Sequence, residues 1–252
     1  MRAPYPCGFI GDGLTRGVIL ALPRAHVCAL LPAGLRLGDH NVTPAGTHPV
    51  IFQFHDFVNC QWSFPTWLQP MQFHEQTVGI PFTYLDAGGP YFFMPKLYLD
   101  DLWVQLNGRF WWGFDKEMAA VQRTTSRYAV NNLSGRRIVS LDWTTDGEDS
   151  YLPAARSPVF EPFRRLLDQT LISAFPAASP CFSLTDFDRN WNLGKVRPLR
   201  TVLDVDPAYM PGFSGGHFPA EGAAYEFSAP WWLSLPYSPG AFDMTGAAME
   251  VS

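Results

Sequence analysis

The sequence predicts an α+β fold that consists mainly of antiparallel β-strands with a few short helices. The 23 Pro and 21 Gly residues are spread along all 252 positions, and this distribution favours many short strands over long helices. Several apolar segments alternate with polar residues, as is typical of strands that have two different faces. Because so many strands would leave unpaired edges, we expect a curved sheet that closes into a barrel or cone.

The first half of the chain contains the clearest elements. Strands are predicted at residues 18–22, 50–57, 72–84 and 91–106. Pro23 suits the first turn of a short helix, which we expect at residues 24–31. In the second strand Phe52 and Phe54 lie on one face, and Gln53 and His55 lie on the other. Pro81 and a nearby glycine interrupt the third strand, so a bend or bulge is expected there.

The second half predicts a hairpin, one helix and further strands. The hairpin strands are residues 124–130 and 137–144, which flank a turn rich in Asn and Gly. A helical pattern of apolar residues covers 160–171. Two further strands are expected at 181–188 and 196–205. We interpret residues 1–252 as a single domain with a loosely structured C-terminal tail from about residue 216.

The composition excludes several classes of protein. The net charge is −5 at pH 7, so there is no basic surface for nucleic acid. No apolar run reaches the roughly 18 residues of a membrane span. The four cysteines are widely spaced and the first residues lack the apolar stretch of a secretion signal, so we expect a cytoplasmic protein with reduced thiols. Only 16% of the residues are charged, which favours a homo-oligomer with buried subunit contacts.

Lysine is scarce, and one lysine lies in an unusual segment. The three lysines are Lys96, Lys116 and Lys195. Residues 108–119 read GRFWWGFDKEMA and place Lys116 directly after a run of aromatic residues. Burial of an amine disfavours its charged form, and a neutral amine can attack a carbonyl to form a Schiff base. The alternative interpretation is a solvated lysine that pairs with Asp115 or Glu117.

Glu75 is a second candidate for chemistry. It lies within the apolar strand sequence QFHEQTVGIPF, where a carboxyl group is costly to bury unless it has a partner or a function. The alternative is an ordinary strand residue whose side chain faces solvent.

Three segments together resemble the acetoacetate decarboxylase-like superfamily. They are FHEQTVGIPFTY at 73–84, FFMPKLYLDD at 92–101 and GRFWWGFDKEMA at 108–119, and their order and spacing agree with that family. A weaker similarity extends over about residues 15–215. The resemblance implies that Lys116 is the Schiff-base lysine and that Glu75 is an active-site carboxylate that transfers protons.

The resemblance also implies residues that bind the substrate. Gln53 occupies the position where decarboxylases carry another glutamate, and Phe73 and Trp112 are expected beside the substrate. Arg16 is the candidate for the arginine that binds the substrate carboxylate in this family.

One residue departs from the pattern of the true decarboxylases. These enzymes have a second lysine directly after the nucleophile, whereas this chain has Glu117. A carboxylate close to the amine favours the ammonium form, so Glu117 is expected to modulate the protonation of Lys116. The resemblance therefore implies a Schiff-base lyase for a small oxo acid, with either decarboxylase or aldolase-dehydratase chemistry. No cofactor is expected, because the iminium group itself accepts the electron pair.

Two other functions are compatible with the sequence. The first is a ligand-binding module that has kept the fold and lost catalysis, which the residues at positions 53 and 117 suggest. The second is a metal-dependent β-barrel enzyme in which His55, His74 and Glu75 meet on neighbouring strands.

Overall fold

The computed structural model describes residues 8–63, 69–145, 151–175, 181–220 and 223–238. In the first part of the chain the strands are β1 (Gly8–Pro23), β2 (Arg36–Leu37), β3 (Thr47–Trp62), β4 (Met71–Leu85), β5 (Gly88–Leu99), β6 (Lys116–Met118), β7 (Ala120–Arg123), β8 (Arg127–Asn131) and β9 (Arg137–Thr144). Then follow β10 (Leu152–Pro153), β11 (Thr170–Phe175), β12 (Cys181–Thr185), β13 (Phe187–Arg189), β14 (Lys195–Pro198), β15 (Arg200–Val205), β16 (Gly216–Ala220) and β17 (Ala224–Ser234). The helices are α1 (Arg24–Ala29), α2 (Leu102–Trp112) and α3 (Glu161–Leu167), with a 3-10 turn at Ala154–Arg156.

The strands form two sheets, and most of the pairs are antiparallel, as predicted. The larger sheet has the order β10-β14-β17-β1-β3-β4-β5-β11-β12, with β13 beside β17, β2 beside β4 and β6 beside β5. The smaller sheet has the order β16-β15-β9-β8-β7. Strand β5 pairs in parallel with β6 and β11. The described strands do not close either sheet into a barrel, so the predicted α+β class is confirmed and the predicted closure is not.

The two faces of the larger sheet pack against different partners. On β3, Phe52 and Phe54 belong to a core shared with Tyr128 and Leu141 of the smaller sheet. Ile51 belongs to a second core, on the opposite face, that includes residues of α3. This result confirms the predicted alternation of β3, because consecutive side chains of a strand point to opposite faces. The face away from the smaller sheet is the one that carries Gln53 and His55.

Helix α2 occupies residues that the sequence analysis assigned in part to a strand. The expected strand 91–106 ends at Leu99, and the Asp101 carboxylate caps the helix by accepting a hydrogen bond of 2.8 Å from the Val104 backbone N–H. Gly113 ends the helix with a φ of 69°, a conformation that glycine adopts easily. The aromatic and branched residues of α2 favour strands by composition, but the two caps define a helix.

Helix α2 also carries much of the exposed apolar surface. Among the described residues, five large apolar side chains on this helix are exposed: Leu102, Trp103, Leu106, Phe110 and Trp111. The homo-oligomer that the low charge content suggests stays a prediction, and this face of α2 is where apolar subunit contacts could form.

The C-terminal part of the chain is more ordered than predicted. The tail expected from about residue 216 contains β16 and β17, and β17 pairs with β1 from Gly8 to Val18. Apolar residues such as Phe227 and Trp231 bury this strand in the cores of the larger sheet, which outweighs the local content of Pro and Gly. Residues 239–252 lie outside the described part.

Smaller differences concern the ends of elements. The predicted helix 160–171 is α3 followed by β11, and the predicted strands 181–188 and 196–205 are each divided into two. Strands β14 and β15 belong to different sheets, with Leu199 between them. No helix of the described residues has the length and apolar character needed to cross a membrane.

Candidate active site

A cavity of about 90 Å³ lies on the face of the larger sheet that is turned away from the smaller sheet. Ten of the side chains that line it are aromatic, so its wall is largely apolar. Three charged side chains and four neutral polar ones also line it: Lys116, Glu75, Arg189, Gln53, His55, Thr77 and Asn107. Charged groups in an apolar cavity are costly unless they have partners or a function, so these residues are candidates for chemistry.

Lys116 and Glu75 form a buried ion pair in this cavity. Glu75 on β4 pairs with Leu99 on β5, and Leu97 on β5 pairs with Lys116 on β6, so one strand separates the two residues. Lys116 Nζ donates a hydrogen bond of 2.5 Å to Glu75 Oε2. Both side chains are 8% exposed. The carboxylate is therefore placed to exchange a proton with the amine.

Gly108 of α2 makes room for the Lys116 side chain. A Cβ atom at position 108 would lie 2.5 Å from Lys116 Cε and 3.1 Å from Nζ, and both distances are shorter than normal van der Waals contacts. The Gln105 side chain on the same helix donates a hydrogen bond of 3.3 Å to the Lys116 backbone carbonyl. Helix α2 thus fixes the position of the lysine, and the glycine in the GRFWW segment has a steric explanation.

Glu117 is not close to the Lys116 amine. Consecutive residues of β6 face opposite sides of the sheet, and the Glu117 carboxylate lies 2.8 Å from Lys96 Nζ. Lys96 also pairs with Asp115 at 3.1 Å. Glu117 is expected from the sequence to modulate the protonation of Lys116, but its carboxylate makes no direct contact with the amine, because it is exposed and is paired with Lys96.

Arg16 does not line the cavity, so the prediction that it lies beside the substrate is also wrong. Its guanidinium lies on the opposite face of β1, 3.0 Å from Asp56 and 2.9 Å from Glu226. It also stacks over Trp143 of the smaller sheet at 4.3 Å. The neighbouring residue Thr15 is the one on the cavity side, and the strand alternation explains the difference.

Arg189 on β13 is the arginine that lines the cavity, and the sequence analysis did not identify it. One of its N–H groups donates a hydrogen bond of 3.1 Å to the Leu167 carbonyl, and its guanidinium lies 4.1 Å from the Phe187 ring centroid. Among the described residues no carboxylate lies within ion-pair distance of it. Burial lowers the pKa of Arg189 to about 10, although Asp168 and Asp188 act against this shift from farther away. No local motif marks this residue, because its position depends on the pairing of β13 with β17.

His55 is a buried neutral side chain beside these charges. Its Nδ1 lies 2.8 Å from Thr15 Oγ1, and its Nε2 lies 3.3 Å from Thr77 Oγ1. Burial lowers the pKa of His55 well below its usual value, and the cations Arg189 and Lys116 lower it further. The imidazole therefore stays uncharged at neutral pH and contributes hydrogen-bonding groups to the wall.

Gln53, Phe73 and Trp112 line the cavity, and their contact with the substrate stays a prediction. Gln53 Nε2 donates a hydrogen bond of 3.5 Å to Thr77 Oγ1. Its Oε1 is buried and has no hydrogen-bond partner in the described part of the chain. A ligand with an N–H or O–H group could satisfy this acceptor.

The three residues of the suggested metal site are not brought together. His74 points to the face opposite Glu75 and its Nδ1 lies 2.6 Å from Asp100. In the described ranges no group of three or more His, Cys, Asp or Glu residues has the proximity that a metal site requires.

The chain matches the family model described as acetoacetate decarboxylase over residues 18–170. This match covers more than half of the chain, and the chain belongs to the acetoacetate decarboxylase family. The predicted resemblance is thereby confirmed. A sequence comparison with curated proteins gives no significant match.

Several solved structures have a similar fold. The enduracididine biosynthesis enzyme MppR complexed with pyruvate has a TM-score of 0.64 and 17% identity, with 96% of this chain and 93% of that chain covered. The acetoacetate decarboxylase from Legionella pneumophila has a TM-score of 0.62 and 15% identity, with 94% and 92% covered. An acetoacetate decarboxylase-like enzyme from Sphingomonas wittichii RW1 has a TM-score of 0.60 and 15% identity, with 92% of each chain covered.

Proposed function

We propose that this protein is a lyase in which Lys116 forms a Schiff base with the carbonyl group of a small oxo acid. The observation that carries the proposal is the buried contact of 2.5 Å between Lys116 Nζ and Glu75 Oε2 in an aromatic cavity. Membership in the acetoacetate decarboxylase family supports an enzymatic function. One similar structure holds the condensation product of pyruvate and imidazole 4-carboxaldehyde, so pyruvate and aldehydes are reasonable substrates to test.

The contact supports a specific sequence of proton transfers. Glu75 takes a proton from the Lys116 ammonium, and the free amine attacks the carbonyl carbon to form a C–N bond. Glu75 then gives this proton to the former carbonyl oxygen. A second proton moves from nitrogen to oxygen by the same route, and the C–O bond breaks to release water and leave a protonated iminium. One ammonium and one carbonyl thus yield one iminium and one water.

The iminium can then accept electrons from either of two bonds. In a decarboxylase, the bond to a carboxylate carbon breaks and carbon dioxide leaves. In an aldolase-dehydratase, a proton leaves the carbon beside the iminium, and the resulting enamine attacks an aldehyde. The size of the cavity supports a small oxo acid in either case. Its volume of about 90 Å³ is below the roughly 150 Å³ of a cavity that holds benzene.

Trapping with borohydride tests the proposal. The protein is incubated with pyruvate or acetoacetate and sodium borohydride, and its intact mass is measured. We expect one reduced adduct that disappears in Lys116→Met. The matched control is Lys96→Met, which removes a nearby lysine outside the cavity and should keep the adduct. Absence of an adduct with every oxo acid tried would contradict the proposal.

A turnover assay with the same two lysine variants distinguishes the second candidate, which is a binding module without catalysis. The orphan acceptor on Gln53, at a position where decarboxylases carry a glutamate, favours it. This candidate predicts ligand binding without turnover by wild-type protein. Turnover that Lys116→Met abolishes would exclude it.

A further inference from the structure

We infer that Arg189 binds the carboxylate of the substrate and that the reaction retains this carboxylate. The substrate would then be a 2-oxo acid that condenses with an aldehyde, rather than an acid that loses carbon dioxide. This inference rests on the proposed function for its chemical step. The binding of the carboxylate by Arg189 can be tested without that step.

The first argument is the lack of an ion-pair partner at a partly buried cation. Arg189 lines the same cavity as Lys116, and in the described part of the chain no carboxylate is within ion-pair distance of it. A guanidinium has five N–H donors, and among the described residues one side-chain hydrogen bond of Arg189 is made, to the Leu167 carbonyl. A charge that faces an apolar cavity is stabilised by a partner, and a carboxylate fits the planar fork of a guanidinium.

The second argument is the charge of the cavity as a whole. Glu75 is in contact with Lys116 and therefore balances that cation. His55 is neutral, so the charge of Arg189 is left over. A ligand with one negative charge would neutralise the cavity, and a 2-oxo acid such as pyruvate has this charge.

The third argument is the rigidity of the guanidinium. The Leu167 carbonyl holds one of its edges, and the rings of Phe187 and Trp191 lie 4.1 Å and 5.7 Å from its central carbon. Aromatic faces attract cations. Because the group is held in place before a ligand arrives, little conformational entropy is lost when a carboxylate binds.

The fourth argument concerns which bond breaks. Carbon dioxide is neutral, so a carboxylate loses its attraction to Arg189 as it departs. A cation that stabilises the reactant more than the transition state slows the reaction. In a condensation the carboxylate keeps its charge throughout, and the contact with Arg189 remains. A fixed cation on the carboxylate therefore favours condensation.

Binding of lactate tests the first half of the inference. Lactate has a carboxylate but no ketone, so it cannot form a Schiff base with Lys116. We expect calorimetry to show that Arg189→Met weakens lactate binding by about 10- to 100-fold. Arg189→Lys should weaken it less. Lactamide, the neutral amide, should bind wild-type protein and Arg189→Met equally.

The control for this experiment is Arg109→Met, which removes an exposed arginine of α2 and should leave lactate binding unchanged. Circular dichroism of each variant shows whether it is folded, and Arg189→Lys replaces Arg189→Met if the latter does not fold. Equal lactate affinity in wild-type protein and in a folded Arg189 variant would overturn the inference.

Product analysis tests the second half. With pyruvate and an aldehyde, wild-type protein should form an unsaturated oxo acid, and with acetoacetate it should release carbon dioxide slowly. In Arg189→Met we expect the rate of condensation to fall, so that the ratio of the two rates moves toward carbon dioxide release. If wild-type protein releases carbon dioxide from acetoacetate faster than it condenses pyruvate, the inference that the reaction retains the carboxylate is wrong.

The two proposals can fail separately. An Arg189-dependent affinity for lactate without any borohydride adduct would refute the Schiff base and keep the carboxylate site. An adduct at Lys116 with unchanged lactate affinity in the Arg189 variants would refute the carboxylate site and keep the Schiff base.

Discussion

Two groups of charged side chains lie on opposite faces of the larger sheet, and they differ in how their charges are paired. Between the sheets, Arg16 contacts Asp56 and Glu226, and Glu226 also contacts Arg197. In the cavity, Lys116 contacts Glu75, whereas no carboxylate of the described residues lies within ion-pair distance of Arg189. We call the first group the inter-sheet cluster and the second the cavity cluster.

The difference suggests that the two clusters have different roles. Every arginine of the inter-sheet cluster has an anion from the protein itself, as a structural ion-pair network requires. In the cavity cluster, Arg189 lines the cavity and has no ion-pair partner in the part of the chain that the structure describes, as is typical of a binding site for an anion. The alternation of β1 and β3 produces this division, because Thr15 and His55 face the cavity while their neighbours Arg16 and Asp56 face the smaller sheet.

The largest effect is expected from removing the proton carrier of the cavity cluster. Glu75→Gln keeps the shape of the side chain but cannot transfer protons, so kcat should fall by about 10²- to 10⁴-fold. Stability should also fall, because Lys116 loses its buried anion, so kcat is compared per folded molecule. Steady-state kinetics with an oxo acid and thermal unfolding of the same samples measure both. A Glu75→Gln variant with wild-type kcat would remove the main distinction between the clusters.

The opposite result is expected in the inter-sheet cluster. Glu226→Gln leaves Arg16 and Arg197 without their shared anion, so the free energy of unfolding should fall by about 3–5 kcal/mol. The activity of the folded fraction should persist. Urea titration measures the stability, and Glu161→Gln, which breaks a more exposed ion pair on α3, should cost less than about 1 kcal/mol. Equal losses in the two variants would argue against a structural role of the inter-sheet cluster.

A smaller effect is expected from a substitution in α2 that displaces the Lys116 side chain, because it should change the rate more than the stability of the fold. Gly108→Ala gains about 0.5–1 kcal/mol in helix propensity, and crowding of the buried Lys116 side chain costs about 1–3 kcal/mol, so the net change in stability should be small. The added methyl group displaces the Lys116 side chain, and a misplacement of about 1 Å can cost roughly 100-fold in rate. Kinetics and thermal unfolding test this divergence. Arg109→Ala on the exposed face of the same helix should leave kcat unchanged.

The smallest effect is a dependence of stability on pH at His55. Its pKa lies well below the usual value in the folded protein, so the unfolded chain binds a proton that the folded protein does not. The contribution of His55 to the free energy of unfolding is therefore fully present above the unfolded pKa of about 6.5, and it decreases as the pH falls below that value. Between pH 6.5 and 5 the decrease should be about 1–2 kcal/mol.

Urea titration of wild-type protein and His55→Gln at pH 6.5 and pH 5 isolates the contribution of His55. The difference in the free energy of unfolding between the two proteins should become smaller at pH 5. In NMR spectra the His55 ring signals should not titrate between pH 5 and 8. A His55 signal that titrates near pH 6.5 would show that burial and the neighbouring cations do not lower the pKa of the imidazole.

Local sequence patterns predicted much of the fold and the centre of the site. The alternation of β3 and the hairpin of β8 and β9 follow from spacing, and the choice of Lys116 and Glu75 as active-site candidates follows from the family resemblance. The α2 helix was missed because its aromatic residues favour strands, whereas its caps are single residues.

The errors at the edge of the site have a common cause. Glu117 is next to Lys116 in sequence but on the other face of β6, and Arg16 is one residue from the cavity side of β1. Arg189 could not be found from its neighbours in the sequence, because β13 reaches the cavity only through its pairing with β17. Contacts between strands far apart in the sequence decide these positions.

The pairing of β1 with β17 has a consequence for the synthesis of the protein. Strand β1 forms hydrogen bonds along one edge with β3 and along the other with β17, although about 200 residues separate β1 from β17 in the sequence. During translation one edge of β1 thus stays open until Ser234 has left the ribosome, and an open strand edge invites aggregation. Folding of the larger sheet is therefore completed only after β17 has been synthesised. A chain that stops before β17 would lack Glu226 of the inter-sheet cluster and Trp231 of the cavity wall at the same time.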